Sequence, residues 1–252
     1  MRLKILAEGS TRGQHFIKHW GLSVLINNDI LFDTFGKPNY VLKQLKRFKI
    51  DINKIKDIII SHDDWDHVTG LWKILERDND VTVYICPRFS PDIKARIKWY
   101  GARFVEVDKL TEIRSNIYLS GELQGGSRGG VALPEQYLAI KTPKGMVIIT
   151  GCAHPGILEI VQHAKVSFNS EICMLIGGFH LKDNSDEANS GIVTKLKGLG
   201  VHKVMPLHCT GKVAEGAFLK IYGNDCIIIG EGQAIDIEET MKDKSIDANR
   251  FH

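Results

Sequence analysis

Four residues able to bind a metal, His62, Asp64, Asp66 and His67, fall within the six-residue run His62-Asp63-Asp64-Trp65-Asp66-His67. Imidazole and carboxylate are the ligand types that suit zinc, manganese and iron, and alternate residues on a tight loop can point toward two neighbouring ions. The apolar run Lys56 to Ile60 reads as a buried strand that ends at Ser61, which puts the cluster on a loop at a sheet edge. The plainer alternative is a solvated polar loop, which four candidate ligands directly after a buried strand make the weaker reading.

Three later segments each set a histidine just beyond an apolar strand: Thr150-Gly151-Cys152-Ala153-His154-Pro155-Gly156, Gly177-Gly178-Phe179-His180-Leu181 and Pro206-Leu207-His208-Cys209-Thr210-Gly211. One such histidine alone reads as a hydrogen-bonded structural residue; three of them, with the first cluster, point to loops converging on one site. Two ions about 3.5 to 4 Å apart could share a water, lower its pKa toward neutrality and present hydroxide to a phosphoryl or carbonyl centre.

Other residues could handle a substrate. Gly125-Gly126-Ser127-Arg128-Gly129-Gly130 sets one guanidinium among glycines, as an anion-gripping lid or as a plain flexible connector. Lys182 and Lys212 follow candidate histidines and are alternative anion contacts or solvated surface lysines. Trp20 and Trp65 could wall an aromatic substrate or pack in the core.

The elements that must position these groups alternate along the chain. Strands are predicted at 3–6, 23–26 and 30–33, the last two joined by a turn at Asn27-Asn28-Asp29. A helix follows at 41–48, then the strand at 56–60, a helix at 69–77, a strand at 81–85, a helix opened by Ser90-Pro91 and a strand at 103–107. Residues 121 to 134, rich in glycine, read as a flexible loop. The second half predicts a hairpin of 137–141 with 146–150, then helices after Pro155, at 186–199 and after Thr210. Strands at 172–176, 203–206 and 226–229 fall among those helices.

Two similar halves of this kind make an α/β fold in four αββα layers, two mixed sheets face to face with helices outside. Residues 1–237 form the domain and 238–252 a polar tail. The net charge of +3 comes from scattered basic residues, which argues against nucleic acid and is compatible with a small anionic substrate. The short apolar stretch at the start is below the length of a signal-peptide core or membrane span, so a cytoplasmic, soluble protein is expected. Five cysteines without a Cys-x-x-Cys pair indicate neither a disulfide framework nor a zinc knuckle.

The run from His62 to His67, with Thr69-Gly70-Leu71 after it, resembles the metallo-β-lactamase superfamily signature His-x-His-x-Asp-His followed by Gly. Asp64 stands where that family has its second His, which makes the first metal site harder and moves preference from zinc toward manganese or iron. The three later segments, with Gly21-Leu22-Ser23, Ser120-Gly121-Glu122 and Glu135-Gln136, are similar to the branch of archaeal dihydropterin-methyl ribofuranosyl-aminobenzene phosphate synthases.

The resemblance implies one ion on His62, Asp64 and His154 and a second on Asp66, His67 and His208. Zinc is the first expectation for both, with manganese or iron as alternatives. Cys152 would lie where the superfamily has its bridging Asp, either as a thiolate ligand or as a buried thiol. Asp66 and His180 would be catalytic. His180, with Arg128 and Lys182, would also contact substrate; alternatively His180 orients another ligand.

The function implied is a binuclear hydrolase or transferase acting on a phosphate or diphosphate ester, with a pterin-related ester among the candidate substrates. Two other classes stay open. The carboxylate at position 64 also resembles the flavodiiron proteins, which reduce oxygen or nitric oxide at two irons, although no flavin domain follows here. A catalytically degenerate metal-binding protein is the other.

Overall fold

Alternate residues of the central strands face different cores, and this alternation sets the layering. In β1 (Arg2–Gly9) and β2 (Gly21–Ile26), Ile5, Leu22, Val24 and Ile26 face one apolar cluster, while Leu6 and Leu25 face another. A strand buried on both sides reads as a nearly continuous apolar run, which is why Gly21 to Ile26 carries almost no polar residue. The computed structural model describes residues 1–9, 19–128 and 131–241.

The first half continues through β3 (Ile30–Phe32), α1 (Tyr40–Arg47), β4 (Asp57–Ile59), α2 (Trp65–Val68) and α3 (Leu71–Arg77). It closes with β5 (Thr82–Ile85), α4 (Pro91–Trp99) and β6 (Arg103–Glu106). β2 pairs antiparallel with β1 and β3, with Asn27 in a left-handed conformation (φ 54°) at the predicted turn. From β3 to β6 the pairings are parallel. Ser90 caps α4 by accepting from the Ile93 N–H, with Pro91 in the first turn, as its residue types predict.

The second half opens with β7 (Thr111–Arg114), β8 (Ile117–Leu119), β9 (Ser127–Arg128), β10 (Val131–Ala132), β11 (Leu138–Thr142) and β12 (Gly145–Thr150). It goes on to α5 (Ile157–Phe168), β13 (Ile172–Gly178), α6 (Asp186–Gly198), β14 (Lys203–Leu207) and α7 (Lys212–Tyr222). β15 (Ala234–Asp236) and α8 (Ile237–Thr240) end the described chain. The second sheet runs β14-β13-β12-β11-β8-β7, parallel among the first three strands and antiparallel beyond.

One core lies between the sheets, where Ile5, Val24 and Ile59 of the first meet Ile149, Ile176 and Met205 of the second. The other two lie under the helices, with Leu45, Leu71 and Ile97 on the first sheet and Ile160, Leu196 and Phe218 on the second. The molecule therefore has the four αββα layers that the two similar halves imply.

Several elements differ from the sequence reading. The helix expected at 69–77 is preceded by a separate turn of helix, α2, which carries Asp66 and His67. The strand expected at 226–229 is a single bridge of Cys226 to Val204, because the chain leaves the sheet edge and turns back into β15, which pairs with β1. The loop at 121–134 contains the β9–β10 ribbon, tied down where Gly126 donates to the His154 carbonyl at 2.9 Å.

Ile237 and Met241 are both buried between the sheets, so the packed body runs to Met241 instead of ending at residue 237. Residues 242–252 of the expected tail lie outside the described residues. No helix among the described residues is long and apolar enough to cross a membrane.

Candidate metal centre

The candidate residues gather at the C-terminal ends of parallel strands, where open α/β sheets form their crevices. His62 follows β4 after Ile60 and Ser61, His154 follows β12, His180 follows β13 and His208 follows β14 directly. Asp66 and His67 sit on α2, and Asp64 is its N-cap residue, whose carboxylate does not cap the helix. Asp63 is directed elsewhere and accepts from the Ser90 N–H at 3.1 Å.

Two triads result. In the first, the Asp64 Oδ2 lies 3.8 Å from the Nε2 of His62 and 3.8 Å from the Nε2 of His154. In the second, the Asp66 Oδ2 lies 3.4 Å from the Nε2 of His67 and 3.2 Å from the Nε2 of His208. Bonds of about 2.0–2.1 Å to a tetrahedral ion set its ligand atoms about 3.3 Å apart. Both sets are spaced to close on an ion. The His62 and His67 rings, 4.1 Å apart between centroids, join the two triads.

Hydrogen bonds settle which ring nitrogens face this centre. Ser61 gives its only hydroxyl hydrogen to Asp33 (2.8 Å), so its oxygen must accept from the Nδ1–H of His62 (2.8 Å). The Asp33 carboxylate takes the Nδ1–H of His67 at 2.6 Å, and the Gly9 carbonyl takes that of His208 at 2.7 Å. Each ring thus turns Nε2 inward with its lone pair available once any second proton has left. The Nε2 atoms of His62, His154 and His208 are buried without a hydrogen-bond partner among the described residues, a costly state that a bound cation relieves.

Charge is distributed unevenly. Burial, then the neighbouring His67 and His154 rings, hold the His62 pKa well below that of ordinary imidazole. Burial acts the same way on His67, but Asp33 and Asp66 on its two sides outweigh it and raise its pKa well above the usual value. For Asp66, burial is outweighed by His67 and His208, which hold its carboxyl well below the usual range. His154 is pushed down to about 4 by burial and by nearby His180.

The metallo-beta-lactamase superfamily profile matches residues 21–154, from β2 through the first triad. The chain belongs to that superfamily. A Methanocaldococcus jannaschii protein named 7,8-dihydropterin-6-methyl-4-(beta-D-ribofuranosyl)-aminobenzene-5'-phosphate synthase is 29% identical over 87% of this chain and 90% of its own length. Tm1679, solved as a metal-dependent hydrolase of the beta-lactamase superfamily, is 30% identical with a TM-score of 0.76, covering 94% of this chain and 99% of its own. Human tRNase Z, short form, has a TM-score of 0.63 at 13% identity over 94% and 99%, a likeness of fold alone.

In this superfamily member Cys152 lies against both triads, its Sγ 3.4 Å from the His67 Nε2 and grouped with His62 and His67. Burial raises its thiol pKa, whereas the Cys209 thiol, although buried, is held low by Cys152, His208 and His180. His180 joins neither triad. It lies beside Cys209, which raises its pKa, and its ring centroid is 4.7 Å from that of His154.

A pocket of about 460 Å³ opens over the centre, walled by Trp20, Trp65, Leu133, His180 and Lys182. Trp65 is 50% exposed there and so is not a core residue, while Trp20 tilts over the His208 ring at 4.7 Å. Lys182 pairs with Asp183, and Lys212 is exposed outside this lining. Arg128 falls on β9, but its side chain lies outside the described part of the chain. A cleft of about 530 Å³ at Lys144, His202 and Met241 occupies the other end of the second sheet and contains none of the triad residues.

Residues without an assigned role in the sequence reading hold the centre in place. Gly21 has φ +124°, and a Cβ there would come within 2.1 Å of the Asp66 carbonyl, so only glycine lets β2 run this close to α2. The Glu8 carboxylate accepts from the His208 N–H at 3.0 Å. Glu135 accepts three consecutive backbone N–H bonds, from Cys152 (3.0 Å), Ala153 (2.9 Å) and His154 (2.7 Å). Burial raises its pKa and these donors offset part of the rise. The available signal was a Glu135-Gln136 pair at the head of an apolar strand, where an acid must have buried partners.

Glu135→Gln sets an amide N–H₂ against one of those N–H groups. It is expected to cost about 1–3 kcal/mol in denaturant unfolding and to weaken binding of the ion nearest His154 by about 10–100-fold. An unchanged metal titration would show that the loop needs no such anchor.

Proposed function

We propose that the chain is a metal-dependent hydrolase, or a group transferase using the same machinery, acting at a phosphate or diphosphate ester of a small anionic molecule. The observation that carries this reading is the convergence of His62, Asp64, His154 and Asp66, His67, His208 as two adjoining triads, with the buried Nε2 atoms of His62, His154 and His208 lacking a hydrogen-bond partner among the described residues. Two divalent ions, when bound, supply Lewis acidity toward a phosphoryl oxygen and lower the pKa of a water.

The chain's own groups do the rest. Asp33 keeps the His67 Nδ1 proton in place, so the proton displaced on metal binding leaves from Nε2. His180, at the pocket wall with a raised pKa, is placed to give a ring proton to a leaving group. Lys182 supplies positive charge at the same wall, Arg128 is a further candidate anion contact, and Trp20 and Trp65 offer aromatic faces. Those faces, with the name of the M. jannaschii relative, support a pterin-related phosphate ester as substrate.

Screening the metal-loaded protein against diphosphate esters, phosphodiesters, phosphomonoesters, lactones and thioesters tests the proposal. Turnover of phosphate or diphosphate esters is expected; turnover confined to lactones or thioesters would overturn the substrate class.

We propose zinc as the first occupant, with manganese or iron favoured at the first triad by the Asp64 oxygen. Asp64→His should shift loading toward zinc over manganese by about tenfold or more in competition, read by elemental analysis. An unchanged ratio would count against Asp64 as a ligand. The same carboxylate favours a second reading, a diiron redox protein, which oxygen consumption by the iron-loaded chain would reveal.

A further inference from the structure

Every residue of the two triads except His154 and His208 comes from the segment that follows β4 in the first half, whereas a set of softer donors comes from the strand ends of the second sheet. Cys152 follows β12, His180 follows β13 and Cys209 lies one residue past His208 at the end of β14. These three strands are parallel neighbours in the order β14-β13-β12, so their C-terminal ends deliver one donor each to the same place. A ligand atom from each lies within 4.8 Å of the other two, and the two sulfurs are 3.3 Å apart.

We propose that Cys152, His180 and Cys209 hold a third, thiophilic metal ion beside the two-ion centre, with Cys152 at the junction. Bonds of about 2.3 Å to a tetrahedral ion would place two thiolate sulfurs about 3.8 Å apart, a small opening of the present contact. A disulfide needs about 2.05 Å, a closure of more than 1 Å from the observed 3.3 Å.

The surroundings favour a ligand set over two core-filling thiols. Core thiols sit among apolar atoms, but these face imidazoles, with Cys152 Sγ 3.4 Å from His67 Nε2 and Cys209 beside His180. Cys209 also needs the absence of a side chain at Gly178, where a Cβ would come within 2.7 Å of its sulfur. His180 reaches the site from a left-handed backbone (φ 51°), a conformation unfavourable for a residue with a Cβ.

Two thiolates and an imidazole select zinc, cadmium or copper(I) over manganese and magnesium, the opposite preference to the Asp64 triad. All three residues line the pocket, so a fourth coordination position faces it and is suited to a soft ligand such as a thiolate. The site extends the metal reading above and does not depend on which ester is the substrate.

Cobalt(II) titration of the metal-free protein under reductant tests it. The expected result is three equivalents bound, with thiolate-to-cobalt charge transfer in the near ultraviolet. Cys209→Ser should lose one equivalent and about half of that absorbance, and His180→Ala should weaken the same equivalent. Asp66→Ala should lose a different equivalent and keep the absorbance from Cys209, which separates failure of the two-ion reading from failure of this one.

Charge transfer undiminished in Cys209→Ser, or a Cys152–Cys209 disulfide persisting under reductant, would overturn the site. Should the serine variant not fold, cadmium-113 NMR of the unaltered protein decides: a resonance in the two-sulfur range supports the site, and nitrogen–oxygen shifts alone overturn it.

Discussion

Asp66→Ala is expected to remove one of two ions from the His/Asp centre and to lower turnover by about 10³-fold, the rate equivalent of about 4 kcal/mol of transition-state stabilisation. Among the described residues, Asp66 is the only carboxylate between His67 and His208, at 3.4 and 3.2 Å from their Nε2 atoms. It is also held ionised, since those two rings outweigh the effect of its burial. Without it, two imidazoles face each other across a buried gap and bind a cation with no compensating charge. Asp66→Asn keeps the shape but not the charge and should fall between the two. His208→Ala should lose the same ion. Elemental analysis with kcat on the same samples reads both effects, and a metal content in Asp66→Ala and His208→Ala equal to that of the unaltered protein would sink the ligand assignment.

The second large effect is expected at Asp33, which touches no substrate. Its carboxylate accepts from the Ser61 N–H and hydroxyl, both at 2.8 Å, and from the His67 Nδ1 at 2.6 Å, in a fully buried position. Asp33→Ala strands all three donors and leaves the His67 ring without the anion that orients it. Breaking a buried charged pair by removing one partner costs about 3–5 kcal/mol. Losing the carboxylate behind a metal-binding histidine weakens metal affinity by about 10–100-fold. Urea unfolding of metal-free protein isolates the first effect, and zinc titration of the folded variant reads the second. A loss of stability under about 1 kcal/mol would mean that Ser61 and His67 find other partners.

Much of the centre was legible because its signal is local. His62, Asp64, Asp66 and His67 announce themselves within six residues, and the apolar runs of β4, β12, β13 and β14 each stop just before a candidate histidine. Burial on both faces gives those strands their uninterrupted hydrophobic character, and the repeated alternation with helices yields the layers. These features need no knowledge of what lies opposite each strand.

What only the tertiary structure decided depends on register and on contacts between sheets. Asp33 precedes Ser61 by 28 positions, and it meets Ser61 because β3 and β4 are paired in parallel. Glu135 becomes the anchor of the His154 loop only after β11 is aligned with β12, and Cys209 meets Cys152 across 57 positions through β13. Met241 belongs to the core because β15 returns to β1, although its polar flank reads as a tail. The sequence by itself determined the ligand types and the layering, since composition and periodicity act over a few residues. The pairing of those ligands, their tautomers and the thiol cluster came from packing, because hydrogen-bond partners distant in the chain are set by how the strands align.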